Sequence, residues 1–252
     1  MTASFPGATG LTVLDVYDWV APDGLRGGSA HVHLASAEGY LVVSGAGELQ
    51  TLGARGYAAT PLRPGDCVWF TPGTIHRLVN DGGLRLAIVM QNAGLPEHGD
   101  AVLTFPPGIL ADQRAYAEAA TLAADPGDGE LARQARRRAS LAVEGYLALR
   151  DAVADRGPAA LEEFFAAALR LKAAGVPDWR DRWRAGALAA AEQTGTDLDE
   201  IAAGVAGHLT GAGLWRIPAP GRRDDPAASD TRSYGMCGRL TTYPAANATR
   251  LL

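Results

Sequence analysis

Apolar and polar positions follow two different periods along this chain. Residues 11 to about 105 carry short apolar or alternating runs that are separated by Gly, Pro, Asp and Asn. This pattern predicts strands, because the side chains of a strand alternate between its two faces. The predicted strands are LTVLDVYDWV, AHVHL, GYLVVS, GELQTL, DCVWF, IHRLV and LRLAIVM, with turns at SGAGE and NDGG. Strands at this close spacing indicate a compact antiparallel sandwich or barrel.

After about residue 108 the apolar residues move to helical spacing, in a background rich in alanine, leucine, arginine and glutamate. The predicted helices span residues 112–124, 128–153, 158–174, 178–193 and 197–209. Thr196 or Asp197 is placed to cap the last helix, and Leu198, Ile201 and Val205 form one apolar stripe along it. An all-α region therefore follows the β-region, and the predicted fold class is α+β.

Three segments follow from this change of pattern. Residues 1–108 are the predicted barrel, residues 109–214 a helical region, and residues 215–252 a linker and tail. The segment RIPAPGRRDDPAASD is rich in Pro, Gly and charge, so we expect a loop there. The tail near Leu240 can form a short strand that returns to the barrel or closes a pocket. For the helical region three roles stay open: a lid over the barrel mouth, a packing partner, or a dimerisation surface.

Charge and composition exclude several classes of protein. The 252 residues carry a net charge of −5, whereas a nucleic-acid binder usually presents a basic face. The run Arg136–Arg138 is expected to be a solvated helix face. No stretch of 18 apolar residues lacks a charge, and the first residues do not resemble a secretory leader. We expect a cytoplasmic protein that binds neither nucleic acid nor membrane. With only Cys67 and Cys237, a cysteine-based zinc site is not supported.

The stretch HVHLASAEGYLVVSGAGE carries the chemistry. On a strand, His31 and His33 project to one face while Val32 points away. The next predicted strand begins near Glu38, and His76 follows on a later strand. Three imidazoles and a carboxylate suit Fe, Mn, Co, Ni, Cu or Zn. Read alone, two histidines on a strand are also compatible with an ordinary surface or core position.

The spacing of these residues resembles the first motif of the cupin superfamily, G-x5-H-x-H-x3,4-E-x6-G. His31, His33, Glu38 and Gly45 fall at the required positions. The leading glycine does not, because Gly24 lies one residue too early.

A second stretch resembles that family's second motif, G-x5-P-x-G-x2-H-x3-N. Gly65, Gly73, His76 and Asn80 match it, whereas Thr71 occupies the proline position and a proline follows one place later. The resemblance covers about residues 25–92. It implies a small antiparallel jelly-roll barrel in which His31, His33, Glu38 and His76 bind one divalent transition metal ion.

The resemblance also implies an enzyme, because this family contains dioxygenases, isomerases, epimerases and lyases. We expect a metal-dependent oxygenase, with Fe(II) as the favoured ion, acting on an oxygen-bearing small molecule that chelates the metal. A redox-neutral isomerase, epimerase or lyase is the alternative, and a non-enzymatic ligand-binding sensor is a third.

Beyond metal binding, Glu38 and two residues outside the ligand set are candidates for roles at this site. Glu38 and Tyr40 are the candidate catalytic residues, and Tyr40 is equally compatible with the barrel core. Tyr40 and Gln91 are candidates for lining a substrate pocket, with Gln91 at its polar rim. His98, in a turn, and His208, near a helix end, are poor ligand candidates. We expect a homodimer.

Overall fold

The computed structural model describes residues 4–124, 127–218 and 232–251, so most of the predicted loop RIPAPGRRDDPAASD lies outside the described residues. The strands are β1 Gly10–Val16, β2 His31–His33, β3 Glu38–Gly53, β4 Gly56–Leu62, β5 Cys67–Phe70, β6 Ile75–Met90, β7 Ala101–Leu103, β8 Trp215–Arg216, β9 Ser233–Tyr234, β10 Gly238–Thr242 and β11 Thr249–Arg250. The helices are α1 Pro107–Leu110, α2 Gln113–Ala120, α3 Asp128–Arg156, α4 Pro158–Lys172, α5 Val176–Trp183, α6 Ala189–Ala202 and α7 Gly207–Thr210.

The antiparallel sheet has the order β4-β3-β6-β1-β10-β9, with β5 paired to β3 and β2 paired to both β6 and β7. Its interior holds an apolar core that includes Leu14, Tyr40, Leu78 and Leu86. The predicted fold class, an antiparallel β-barrel followed by helices, is confirmed.

Two predicted turns are wrong. SGAGE and NDGG lie inside the long strands β3 and β6, which pair with each other along most of their length. The pairing register shifts between Val42 and Gly47, so the glycines allow irregularities in the ladder rather than reversals of the chain. Gly45 has a φ of 78°, and a Cβ there would overlap the Gly83 carbonyl. The glycine-rich stretches therefore mark a close approach of the β3 and β6 backbones.

The C-terminal tail supplies a strand of the sheet. Strand β10 pairs with β1, with Leu240 opposite Leu14, so the sheet includes residues beyond the predicted barrel segment 1–108. Arg138 on α3 is buried and donates to the Gly235 carbonyl at 2.6 Å and the Ala120 carbonyl at 3.1 Å. The expectation of a solvated arginine run is thus wrong at Arg138, because its guanidinium reaches main-chain carbonyls of the tail.

Helices α3 and α4 pack against the outer face of β2, β6 and β7. Val32, Ile75 and Val102 lie in one buried cluster with Tyr146 of α3 and Phe164 of α4. Since side chains alternate on a strand, burying Val32 against the helices turns both neighbouring histidines toward the barrel interior. Of the three roles left open for the helical region, α3 and α4 act as a packing partner of the sheet.

The last predicted helix boundary is wrong. Helix α6 continues through the expected break, and the Thr196 hydroxyl donates to the carbonyl four residues earlier instead of capping a new helix. The apolar stripe of Leu198, Ile201 and Val205 is exposed. None of the helices in the described part of the chain is both long and apolar enough to span a membrane.

Candidate metal centre

Four side chains from three strands converge inside the barrel. His31 and His33 lie on β2, Glu38 begins β3, and His76 lies on β6 directly opposite His31. All four are buried, and one ligand atom from each lies within 4.8 Å of the others. The structure therefore brings together all four residues that the resemblance implies as ligands.

Hydrogen bonds orient all three imidazoles in the same way. His31 and His76 each place Nδ1 near the main-chain carbonyl two residues earlier, at 3.3 Å and 3.1 Å. His33 Nδ1 lies 2.7 Å from Oδ1 of Asp100. We assign the proton of each neutral ring to Nδ1, since each faces an acceptor, which leaves the Nε2 lone pairs available to a metal ion.

The available lone pairs face one another. His76 Nε2 lies 3.1 Å from Glu38 Oε2, and His33 Nε2 lies 3.5 Å from the same oxygen. Within the described residues, Glu38 Oε2 and His76 Nε2 are buried without a hydrogen-bond partner. Buried polar atoms normally have partners, and two acceptors at this distance repel unless a proton or cation lies between them. The donor set fits a divalent transition metal ion.

Burial and neighbouring charges set the protonation of the site. Burial, reinforced by the His76 and His33 rings, holds the pKa of His31 well below its usual value. Burial acts to raise the pKa of Glu38, but His76 and His33 outweigh it, so the net shift is downward. Burial acts to lower the pKa of His33, but Asp100 and Glu38 reverse that shift. Glu38 is therefore ionised at neutral pH, and the pKa of His33 lies above that of His31, so His33 holds a proton more readily than His31 does.

Tyr40 lies on the same strand face as Glu38, as the alternation predicts, and is buried. Its ring centroid lies 5.5 Å from that of Phe70 and 6.5 Å from that of His76. Burial and the charge of Glu38 raise the pKa of Tyr40 well above its usual value, so the phenol is neutral. The structure thus places a neutral hydroxyl group beside the ligand cluster.

The other two histidines and Gln91 are not part of the ligand cluster. Gln91 is exposed, and its Oε1 accepts a hydrogen bond from the Ala37 N–H at 3.2 Å. His98 is exposed in the loop after β6, where its Nδ1 lies 2.6 Å from a main-chain carbonyl. His208 is 2.7 Å from a carboxylate oxygen of Glu200 in the helical region.

Sequence reasoning missed three residues that surround the ligands. The Phe70 ring centroid lies 4.3 Å from that of His76, and Cys237 Sγ from the tail lies 3.8 Å from His31 Nδ1. Asp100 is the third. Phe70 could have been found from strand alternation had the strand's phase been known, but Asp100 and Cys237 lie too far along the chain for any spacing rule.

Comparison with protein families identifies the barrel. Residues 19–90 match the model described as a cupin domain, and this range includes all four clustered residues. The predicted resemblance is confirmed: this part of the chain is a cupin domain. No significant match was found among the curated proteins.

Solved structures with similar folds cover about a third of this chain. An uncharacterised protein with a double-stranded β-helix domain from Klebsiella pneumoniae is 21% identical over 36% of this chain and 69% of its own, with a TM-score of 0.27. Streptomyces Pac13, a nucleoside dehydratase, is 17% identical over 35% of this chain and 62% of its own, with a TM-score of 0.27. The TDP-fucose-3,4-ketoisomerase WlaRA from Campylobacter jejuni is 11% identical over 31% of this chain and 58% of its own, with a TM-score of 0.27. Similarities of this size do not identify a reaction.

Proposed function

We propose that this cupin-domain protein is a metal-dependent enzyme whose single divalent transition metal ion is held by His31, His33, Glu38 and His76. One observation carries the proposal: the four ligand atoms lie within 4.8 Å of one another in a buried site. Nε2 of His76 and Oε2 of Glu38, which have no hydrogen-bond partner among the described residues, support it, because a bound cation would satisfy both atoms.

The ion, when bound, would supply Lewis acidity or redox chemistry to an oxygen-bearing substrate. The chain's own residues would divide the remaining tasks. Glu38 is an ionised carboxylate whose Oε2 can accept a proton. Tyr40 is a neutral phenol that can donate a hydrogen bond to a substrate oxygen. The Phe70 ring beside His76 gives the site an apolar wall that excludes water.

For the reaction class we favour an oxygenase that uses Fe(II) and a small molecule chelating through enolate or hydroxyl oxygens. Three neutral imidazoles and one carboxylate leave a net charge of +1 on a divalent site, which favours an anionic enolate oxygen. The alternative is a redox-neutral isomerase, epimerase or lyase. The proximity of the Tyr40 phenol to the Glu38 carboxylate favours that alternative, since proton transfer needs a donor and an acceptor near the same substrate atoms.

Oxygen uptake separates the two classes. Protein reconstituted with Fe(II), Mn(II) or Zn(II) is incubated with enolisable hydroxyketones and catechols, and oxygen consumption is measured beside product mass. The oxygenase proposal expects uptake with Fe(II) only, lost in His76→Ala and retained in His208→Ala. Equal turnover with and without oxygen would contradict the oxygenase and support the redox-neutral enzyme. Binding of a probe with no turnover in any metal form would support the sensor.

A further inference from the structure

We infer that Asp100 is a positioning residue for His33, and that the helical region fixes Asp100 in place. This inference rests on the metal site proposed above. Asp100 Oδ1 lies 2.7 Å from His33 Nδ1, and the Asp100 side chain is fully buried. A carboxylate that accepts from the outer nitrogen of a metal-ligating histidine fixes the ring's orientation and tautomer.

Hydrogen bonds join the backbone around Asp100 to β2, the strand that carries His33. Ala101 pairs with His33 in the β2–β7 ladder, and the Leu34 N–H donates to the Asp100 carbonyl at 3.2 Å. The Asp100 N–H donates in turn to the Leu95 carbonyl at 3.3 Å. These bonds hold the carboxylate at a fixed distance from the imidazole.

Within the described residues, the carboxylate of Asp100 makes one direct hydrogen bond, to His33, and interacts electrostatically with the Lys172 ammonium. Its Oδ2 is buried without a hydrogen-bond partner, and Oδ1 is the atom that meets His33. A buried carboxylate is costly unless its interactions offset the loss of hydration. In the part of the chain that the structure describes, the contact with His33 is the one direct hydrogen bond that offsets this cost, which points to a role at the metal site.

Two side chains of the helical region reach the segment that leads into Asp100. Trp179 on α5 is buried, and its Nε1–H donates to the His98 carbonyl at 2.9 Å. Lys172 at the end of α4 brings its ammonium beside Gly99, where a Cβ would lie 3.5 Å from Nζ. The helical region therefore connects to the ligand sphere through Trp179, the His98–Asp100 segment and His33.

Cobalt binding tests this connection without requiring a known substrate. The dissociation constant for Co(II) and the visible spectrum of the cobalt protein are measured for the full chain and for Asp100→Ala, Asp100→Asn and Trp179→Phe. Glu163→Gln is the matched control, because it removes one negative charge from an exposed position of the helical region and leaves an acceptor oxygen. The thermal midpoint of each metal-free variant reports folding separately.

We expect Asp100→Ala to weaken Co(II) binding by about 10- to 100-fold and to change the cobalt spectrum. Asp100→Asn falls between this variant and the unmodified protein, because its amide oxygen still accepts but lacks the charge. Trp179→Phe removes one neutral hydrogen bond and weakens binding by about three- to tenfold. An affinity equal to that of the unmodified protein would refute the role of the helical region. Glu163→Gln binds as the unmodified protein does.

Wild-type affinity and an unchanged spectrum in both Asp100 variants would overturn the inference while leaving the metal site intact. If Asp100→Ala does not fold, Asp100→Asn decides, and an affinity within about twofold of the unmodified protein then refutes the role. Failure of the unmodified protein to bind Co(II) has a different meaning: it contradicts the proposed function, and the inference falls with it.

Discussion

The ion pair between buried Arg77 and partly exposed Asp23 gives the sharpest prediction about stability. Arg77 follows the candidate ligand His76 on β6 and points to the opposite face, where its side chain has no exposed surface. Asp23 contacts it through both carboxylate oxygens, with Nη2 and Oδ1 3.2 Å apart. Replacing Asp23 by Asn keeps the shape of the side chain but leaves a buried guanidinium without its counter-charge.

Breaking one side of a buried ion pair costs about 3–5 kcal/mol in the free energy of unfolding. The Asp23 side chain keeps 17% of its surface exposed, so we take the lower end, about 3 kcal/mol. For a chain of this size, about 1 kcal/mol lowers the thermal midpoint by about 2–4 °C, which gives a loss of about 6–12 °C for Asp23→Asn.

The pH dependence provides a second test of the same pair. Burial acts to raise the pKa of Asp23, but Arg77 outweighs it and lowers the pKa below the usual value. The stabilisation is therefore present at neutral pH and is lost as pH falls below about 4, through the depressed pKa. We expect the gap between unmodified protein and Asp23→Asn to narrow in that window. Thermal unfolding of the metal-free proteins from pH 3 to 7 measures it.

The matched control is Glu163→Gln, which breaks an exposed pair with Arg156. Its thermal midpoint should stay near that of the unmodified protein, because exposed ion pairs contribute little. A thermal midpoint for Asp23→Asn that equals that of Glu163→Gln at pH 7 would refute the stabilising role of the Arg77–Asp23 pair.

Three further predictions concern the barrel and its site. Gly28→Ala should destabilise the fold by about 1–3 kcal/mol in urea unfolding, because the new Cβ would meet the Cys237 carbonyl oxygen at 2.8 Å. Gly82→Ala, with open space around it, is the control. Equal urea midpoints for Gly28→Ala and Gly82→Ala would contradict this packing. Metal affinity should fall as pH decreases, by about tenfold per pH unit once His33 binds a proton. Because the pKa of His33 is raised, this loss of affinity should begin above the usual pKa of histidine. A Co(II) dissociation constant that does not change between pH 5 and 8 would contradict this prediction. Tyr40→Phe should keep its metal and slow turnover by about 100-fold or more, whereas unchanged turnover assigns Tyr40 to the core.

Periodicity and spacing predicted the parts of this protein that depend on neighbours along the chain. Two histidines two residues apart share a strand face whatever surrounds them, and the second motif places His76 on a strand that returns beside them. The fold class could be predicted for the same reason. Ligand roles, the small-molecule substrate and the homodimer stay predictions.

Long-range packing could not be predicted. Asp100 lies 67 residues from His33, and Cys237 lies 206 residues from His31, so only the folded sheet brings them together. Periodicity identifies an apolar helix face but not what covers it. Phe164 is buried against the sheet, whereas Ile201, at equally regular spacing, is exposed.

Metal content tests the central claim most directly. The chain is purified without added metal, and its metals are measured by elemental analysis beside His31→Ala, His76→Ala and the control His208→Ala, which removes a histidine of the helical region. We expect about one equivalent of a divalent transition metal in the unmodified protein and the control, and loss of that metal in the two ligand variants. Unchanged metal content in both His31→Ala and His76→Ala would contradict the account.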